Sequence, residues 1–419
     1  MKKLLIILLG FLFEVRVRGC WIIVILLAFA GCSAPDSRDT TITQPVDKGD
    51  YFHDKIDVKF AKHFDVTYHN NYKVVRTHAS LGGKEEQAGI LILLQKGTVA
   101  PELKGELANA YLIEVPVNSV AVNAQPAECF LRELGLVDSI VAIGGVVSYN
   151  DDMRRKALNG ELGQVGYSWH SPPNVEVLLD RKADLFLMTL ANPDHSVAIG
   201  KCRQLGIATA PVYDWAEDHY MAVAEWIKYY SLFFNAEKEA NRVFDEITQR
   251  IENIKTAVSE TKERPTAQWS FYTGNNRWHM RLTSVESQFL LDAGLTNPLA
   301  DVISSNADGV NSVSTEELMV KAKDIDHWII GDIHSSALPP ENFMSSFKAW
   351  REGKIYHNMK RSKPEVNASD WYGTATVRPD YVLADLVKLV HPELLPDHEL
   401  MFMGVLDKNI EFPVLKSMK

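Results

Sequence analysis

The sequence is short of cysteine, proline and basic charge. Four cysteines in 419 residues exclude a disulfide-dense scaffold, and 18 prolines with 24 glycines exclude collagen-like and low-complexity chains. Lys and Arg number 44 against 54 acids, giving a net charge of −10, and four of those basic residues (Lys2, Lys3, Arg16, Arg18) fall before position 32. The body is therefore more acidic than the whole, a poor partner for nucleic acid, which is bound chiefly by Lys and Arg neutralising phosphates. Phosphate-cradling glycine loops are missing: Ala142-Ile143-Gly144-Gly145 lacks the spacing, and Gly82-Gly83-Lys84 lacks the rest of the motif. Neither Gly-x-Ser-x-Gly nor His-Glu-x-x-His occurs, and Cys129 and Cys202 have no local nucleophile signature, so no catalytic residue is assigned.

What is present is ordinary globular composition, 46% hydrophobic and 23% charged. At roughly 100–200 residues per domain the length predicts two or three units. Two apolar runs, Leu4 to Phe13 and Trp21 to Ala30, are each shorter than the about 20 residues a membrane span needs. The second leads into Phe29-Ala30-Gly31-Cys32-Ser33 and then a polar stretch, Ala34 to Asp50. This reads as a lipoprotein signal over residues 1–32 with Cys32 acylated, followed by a tether over 33–70; an uncleaved membrane anchor is the alternative. Either form leaves the body membrane-tethered and exported; the lipoprotein reading makes it lipid-anchored in the cell envelope, facing the periplasm or extracytoplasmic space. Cys129 and Cys202 then remain as one disulfide or, fitting their helix-like surroundings better, as two buried thiols.

Strand patterns at Tyr72–Thr77, Gly89–Gln95, Tyr111–Val117 and Ser119–Val122 precede an alternation of helices and apolar strands up to Tyr213. That order predicts a mainly parallel sheet covered on both faces. From Trp215 to about Ser259 there is neither Pro nor Gly, and apolar residues keep helical spacing. One helix could run ~60 Å there at 1.5 Å per residue, with Phe234 as the place where a break would fall. A second α/β alternation begins at Ala267 and closes with a helix from Pro379 to Val390. The expected architecture is α/β: a lobe over 71–214, a linking helix over 215–262, and a second lobe over 263–419, two Rossmann-like lobes joined by a single long backbone helix.

A faint repeat supports two equivalent lobes. Pro173-Asn174-Val175-Glu176 and Ser314-Thr315-Glu316-Glu317 each begin a helix whose Glu stands eight residues before an Asp, Asp184 or Asp324, ahead of an apolar strand. Helix capping accounts for Glu317, because acids are favoured at helix N-termini; Glu176 and Glu316 stay open between capping and another role. Four histidines, His170, His195, His279 and His334, fall at ends of strands or turns, where α/β sheets bind ligands. Lone histidines without i+3 or i+4 partners are usually turn or surface residues, so no metal site is assigned, and a direct metal-ion carrier is the alternative they leave. Aromatics cluster in the expected loops: Tyr167-Ser168-Trp169-His170, Tyr213-Asp214-Trp215, Arg277-Trp278-His279 and Trp371-Tyr372. Facing one another, these loops would form an aromatic cleft for a bulky, partly apolar ligand, with Arg277, Arg281 and Arg378 for its anionic groups. Trp278 and Trp371 divide evenly between cleft and core, and Trp215 reads as core.

These residues, taken in order, resemble the ABC-transporter substrate-binding proteins for iron–siderophore complexes and cobalamin. The likeness runs from about Val115 to Leu400. It is carried by Pro173-Asn174-Val175-Glu176 with Lys182-Ala183-Asp184-Leu185, Gly206-Ile207 with Val212-Tyr213-Asp214, Glu225-Trp226-Ile227, Ser314-Thr315-Glu316-Glu317-Leu318, and Val377-Arg378-Pro379-Asp380 with Ala384-Asp385-Leu386. The resemblance implies a monomeric receptor, not an enzyme, with no resident cofactor. It would deliver an iron chelate to an ABC permease dimer with its ATPase. A ferric siderophore is the favoured ligand on the arginines, with a corrinoid such as cobalamin next and haem, through His170 or His279, third. Ligand contacts are expected from Trp169, His170, Tyr213, Arg277, Trp278, Arg281, Trp371, Tyr372 and Arg378, and permease docking from Glu176 and Glu316.

Overall fold

A computed structural model describes residues 49–81, 84–86, 89–191, 194–300, 311–332 and 338–407. Cys32, the signal segment and His334 lie outside the described residues. The first sheet comprises β1 (Phe64–Tyr68), β2 (Tyr72–Thr77), β5 (Leu91–Gln95) and β6 (Tyr111–Val115), with the small hairpin β3 (Ala79–Leu81) and β4 (Lys84–Glu86) between β2 and β5. The next five strands, β7 (Val120–Val122), β8 (Ile140–Ile143), β9 (Gly163–Gln164), β10 (Leu185–Thr189) and β11 (Thr209–Val212), pair entirely in parallel in the order β11-β10-β7-β8-β9. Helices α1 (Gln125–Glu133), α2 (Asp151–Leu158), α3 (Val175–Arg181) and α4 (Asp194–Gln204) supply the crossovers that parallel pairing demands.

The third sheet is mixed. It follows α5 (Tyr220–Leu232) and α6 (Glu237–Glu260) and is built from β12 (Ala267–Gly274), β13 (Arg277–Met280), β14 (Asn311–Ser314), β15 (His327–Gly331), β16 (Ile355–His357) and β19 (Gly404–Val405). Helices α7 (Val285–Asp292), α8 (Thr315–Ala322), α9 (Glu341–Met344), α10 (Lys348–Arg351), α11 (Thr374–Val377) and α12 (Pro379–Val390) pack around it, and the short pair β17 (Ser362–Lys363) and β18 (Ala368–Ser369) precedes α11.

The linking segment is two helices rather than one rod. All thirteen residues of α5 are buried, the ion pair of Glu225 with Lys228 among them, whereas α6 buries one stripe from Ala240 through Val258. Between them Asn235 adopts φ +53°, the left-handed conformation common where helices end. The buried Lys73 of β2 fills the joint, its Nζ donating to the Leu232 carbonyl at 2.7 Å and to Asn235 Oδ1 at 2.8 Å, and pairing with Glu237. A cation at a helix C-terminus meets the negative end of the backbone dipole, so the break is held in place by a charge from another element.

The described part of the expected tether is also structured. The N–H groups of Lys59, Phe60 and Ala61 all donate to the fully buried Glu225 carboxylate of α5, at 2.6–3.0 Å. Those of Lys62 and His63 donate to Glu217, which also accepts from the Trp226 indole. Phe64 then packs edge-on to Trp226 at 5.0 Å. A polar composition hid this docking because the backbone, not the side chains, makes the contacts. Cys129 and Cys202 are free, buried thiols. One buried cluster runs from the first two sheets through α5 and α6 to α7, α12 and one face of the third sheet.

Candidate functional site

The two larger sheets and α5 enclose a cleft of about 900 Å³. It opens beyond the carboxyl ends of β7, β10, β11 and β15, the place where open α/β sheets bind ligands. On one side the loop after β9 is folded back: Gly166 sits at φ +92°, and a Cβ there would lie 2.7 Å from the Ser171 hydroxyl. Ser168 N–H donates to the Asn123 carbonyl at 2.9 Å, and Asn174 N–H to that of Val165 at 2.7 Å. This compact loop presents Tyr167, Trp169 and His170 to the cleft. Trp169 is 49% exposed and meets Trp215 in an edge-on contact at 5.5 Å, while the Trp215 indole donates to the Leu190 carbonyl at 2.8 Å.

The opposite wall comes from the short helical turns after β18. Ser369 Oγ caps Trp371 N–H, and Asp370 accepts from Thr374 N–H and hydroxyl, so Trp371 and Tyr372 are held at a fixed angle. Trp371 rests on Trp269 of β12 at 5.7 Å, and the Tyr372 hydroxyl donates to Asp332 at the end of β15. The floor is α5, where Tyr220 stacks on Phe289 of α7 at 4.3 Å.

Charge on these walls is mostly negative. Asp214, Glu217, Glu286 and Asp332 line the cleft against Arg281 and His170. Burial pushes the Asp214 carboxyl up to about 7 despite the N–H of Trp215 and the hydroxyl of Tyr230, and also raises Asp332. Two buried polar atoms on the same walls, Gln125 Oε1 and Thr189 Oγ1, have no hydrogen-bond partner among the described residues.

Of the residues expected at the cleft, Trp169, His170, Arg281, Trp371 and Tyr372 line it. Four others are placed elsewhere. Tyr213 is fully buried in the core. Trp278 points through β13 to the far face of its sheet, its indole donating to Thr315 Oγ1 at 3.2 Å. Arg277, one residue earlier, is exposed at the β13 start and donates to Ser312 Oγ. Arg378 is consumed by acids: Asp380 at 2.8 Å, Glu133 at 3.2 Å and Glu246 at 3.4 Å. Trp215, read as core, is a wall residue 38% exposed. His195 is buried with Nδ1 accepting the Ala191 N–H, and His279 sits within β13. Glu176 and Glu316 are both exposed in the first turns of α3 and α8, after Asn174 and Ser314 caps. Sequence reasoning missed Tyr220 and Phe289, whose helical spacing is that of core residues, and the acids; Asp332, directly after a buried parallel strand, carried the clearest signal.

Among the described residues no group of three or more His, Cys, Asp or Glu converges for a metal, and no helix is long and apolar enough to cross a membrane. No family model matches the chain. Two uncharacterized lipoproteins of Methanocaldococcus jannaschii are each 24% identical to it. One aligns over 321 residues, 72% of either chain, and the other over 394, covering 88% of this chain and 93% of the relative. Among solved structures, Helicobacter pylori CeuE with Ni(II) bound superposes with a TM-score of 0.50 at 16% identity, covering 68% of this chain and 88% of that one. The periplasmic haem-binding protein HutB of Vibrio cholerae gives 0.50 at 15% identity, covering 65% and 99%. The chain has the two-lobed α/β fold of the periplasmic binding proteins.

Proposed function

We propose that the protein is the extracytoplasmic receptor of an ABC importer, binding a metal chelate between its lobes and passing it to a permease. It is a binding protein and not an enzyme, and iron enters as part of the cargo rather than as a resident cofactor. The observation that carries this reading is the cleft itself, walled by Trp169, Trp215, Trp371, Tyr167, Tyr372 and Phe289 from four separate segments, with polar side chains set between the rings. A concave aromatic site of this volume suits a bulky, partly apolar ligand. The solved structures of like fold bind Ni(II) and haem by their own descriptions, which supports a metal-containing cargo. The relatives described as lipoproteins support an anchor at Cys32 and a place outside the cytoplasm. Glu176 and Glu316, exposed on different lobes, are the carboxylates proposed to dock on the permease, two rim charges that set orientation more than affinity.

Tryptophan fluorescence of the purified chain, titrated with a ferric trihydroxamate, haem and cobalamin, tests the reading. Saturable quenching by one of them, lost in Trp169→Ala or Trp371→Ala, is expected. Quenching by free divalent metal alone would replace the chelate receptor with a metal-ion carrier.

A further inference from the structure

Arginines were the reason to expect an anionic ligand, and the structure removes two of the three from the cleft: Arg277 is exposed at the start of β13, on Ser312 of β14, and Arg378 is enclosed by Asp380, Glu133 and Glu246. What lines the cleft instead is four acidic residues to one arginine, the Glu217 carboxylate among them being taken up by the N–H groups of Lys62 and His63 and by the Trp226 indole. Arg281 itself lies over the Phe271 ring at 5.3 Å. The acids stand on both walls, Asp214 and Glu217 from the region after β11, Glu286 on α7 and Asp332 after β15, so a ligand between the lobes meets hydrogen-bond-accepting carboxyl groups on either side and has Arg281 as its one lining arginine. A second, independent observation concerns neutral groups. Gln125 is 6% exposed; its Nε2 is spent on the Val147 carbonyl, and its Oε1, on the cleft wall, has no partner among the described residues. Thr189 is 2% exposed, and its N–H is already taken by Asn123 Oδ1. A buried acceptor left unpaired costs about 1–3 kcal/mol, and a ligand donor would recover it.

We propose that the cargo turns an uncharged or cationic, hydrogen-bond-donating face, an ammonium or a fringe of primary amides, toward Asp214, Asp332, Glu286 and Gln125, and that anionic chelates are excluded. An acidic cleft with low-dielectric aromatic walls concentrates such ligands and repels carboxylates and catecholates. This inference rests on the receptor reading above and narrows it to a charge class.

The test uses the full-length chain in detergent and one ferric trihydroxamate core in three forms: with a free ammonium, with that amine acetylated, and with it succinylated. The metal centre is constant and only the pendant charge changes. Affinity is expected to fall about tenfold or more from the ammonium to the succinyl form, a difference near 1.4 kcal/mol. The Glu286→Gln and Asp332→Asn variants should each narrow that ratio, and thermal melting checks that both fold. Binding of cobalamin alone, an uncharged ligand fringed with amides, also upholds the assignment. Equal affinity across the three forms, or tighter binding of the succinyl form or of haem with its two propionates, overturns it while leaving a chelate receptor standing. Failure of every chelate, haem and cobalamin to bind overturns the receptor reading itself.

Discussion

Side chains along the third sheet alternate between two faces that are equally buried and differently employed. Trp269, Ile329 and Tyr356 turn toward α7 and α12 and join the core shared with the parallel sheet and α5. Trp278, Trp328, Ile330 and Ile355 turn the other way, onto α8, α9 and α10, and form a separate cluster. The pleat imposes this period of two. Both faces hold tryptophans with no exposed surface, yet only the inner face backs the cleft, through the Trp269–Trp371 contact. Burial therefore does not distinguish a residue that shapes the site from one that only holds a lobe together.

Several substitutions would break or sharpen this contrast. Trp328→Ala on the outer face should cost about 3–5 kcal/mol of stability, the usual range for an aromatic lost from a core, with ligand affinity unchanged. Denaturant unfolding beside fluorescence titration separates the two effects. Trp269→Ala on the inner face should cost a similar amount and also weaken ligand binding, because Trp371 loses its support; unchanged affinity would show that the cleft does not depend on the inner face. His327, also on the inner face, accepts or donates at Tyr356 OH over 2.9 Å, and burial depresses its pKa to about 4. Its unfolded form binds a proton near pH 6.5 and its folded form does not until about 4, so stability should be intact above that window and fall by about 3 kcal/mol as pH drops through it. His327→Gln should flatten that acid limb in melts between pH 7 and 4. Trp169→Ala should weaken ligand binding by about 1–3 kcal/mol with little change in melting, as for other aromatic anchors. Smallest of all, Arg277→Ala should shift stability within about 0.5 kcal/mol, the range of ordinary surface changes, and leave binding alone.

Much of the fold was readable because propensity and period agree: β2 and α12 match their expected spans, and α3 and α8 begin within the two tetrapeptides of the repeat. The wall residues Trp169, Trp371 and Tyr372 were readable because large aromatics in loops at the ends of strands need a surface to face. Trp278 was not, since Arg277-Trp278-His279-Met280 looks like a loop until it pairs with β12 and β14, and only that register sends the indole inward. Arg378 was misread for a different reason. Its partners Glu133 and Glu246 are distant in sequence, and no local pattern announces them. The break between α5 and α6 likewise depends on Lys73, more than 150 residues upstream.

The clasp that Glu225 makes on the N–H groups of residues 59–61 has a mechanical side. Were Cys32 acylated as proposed, motion of the bilayer would reach the chain as tension from its N-terminal end. Along the described residues that pull would meet the β1–β2 hairpin first, where Tyr51 N–H donates to the Asn70 carbonyl, and then α5 through this clasp, before the loops that carry Trp169 or Trp371. In that arrangement the mouth of the cleft would be shielded from its own leash.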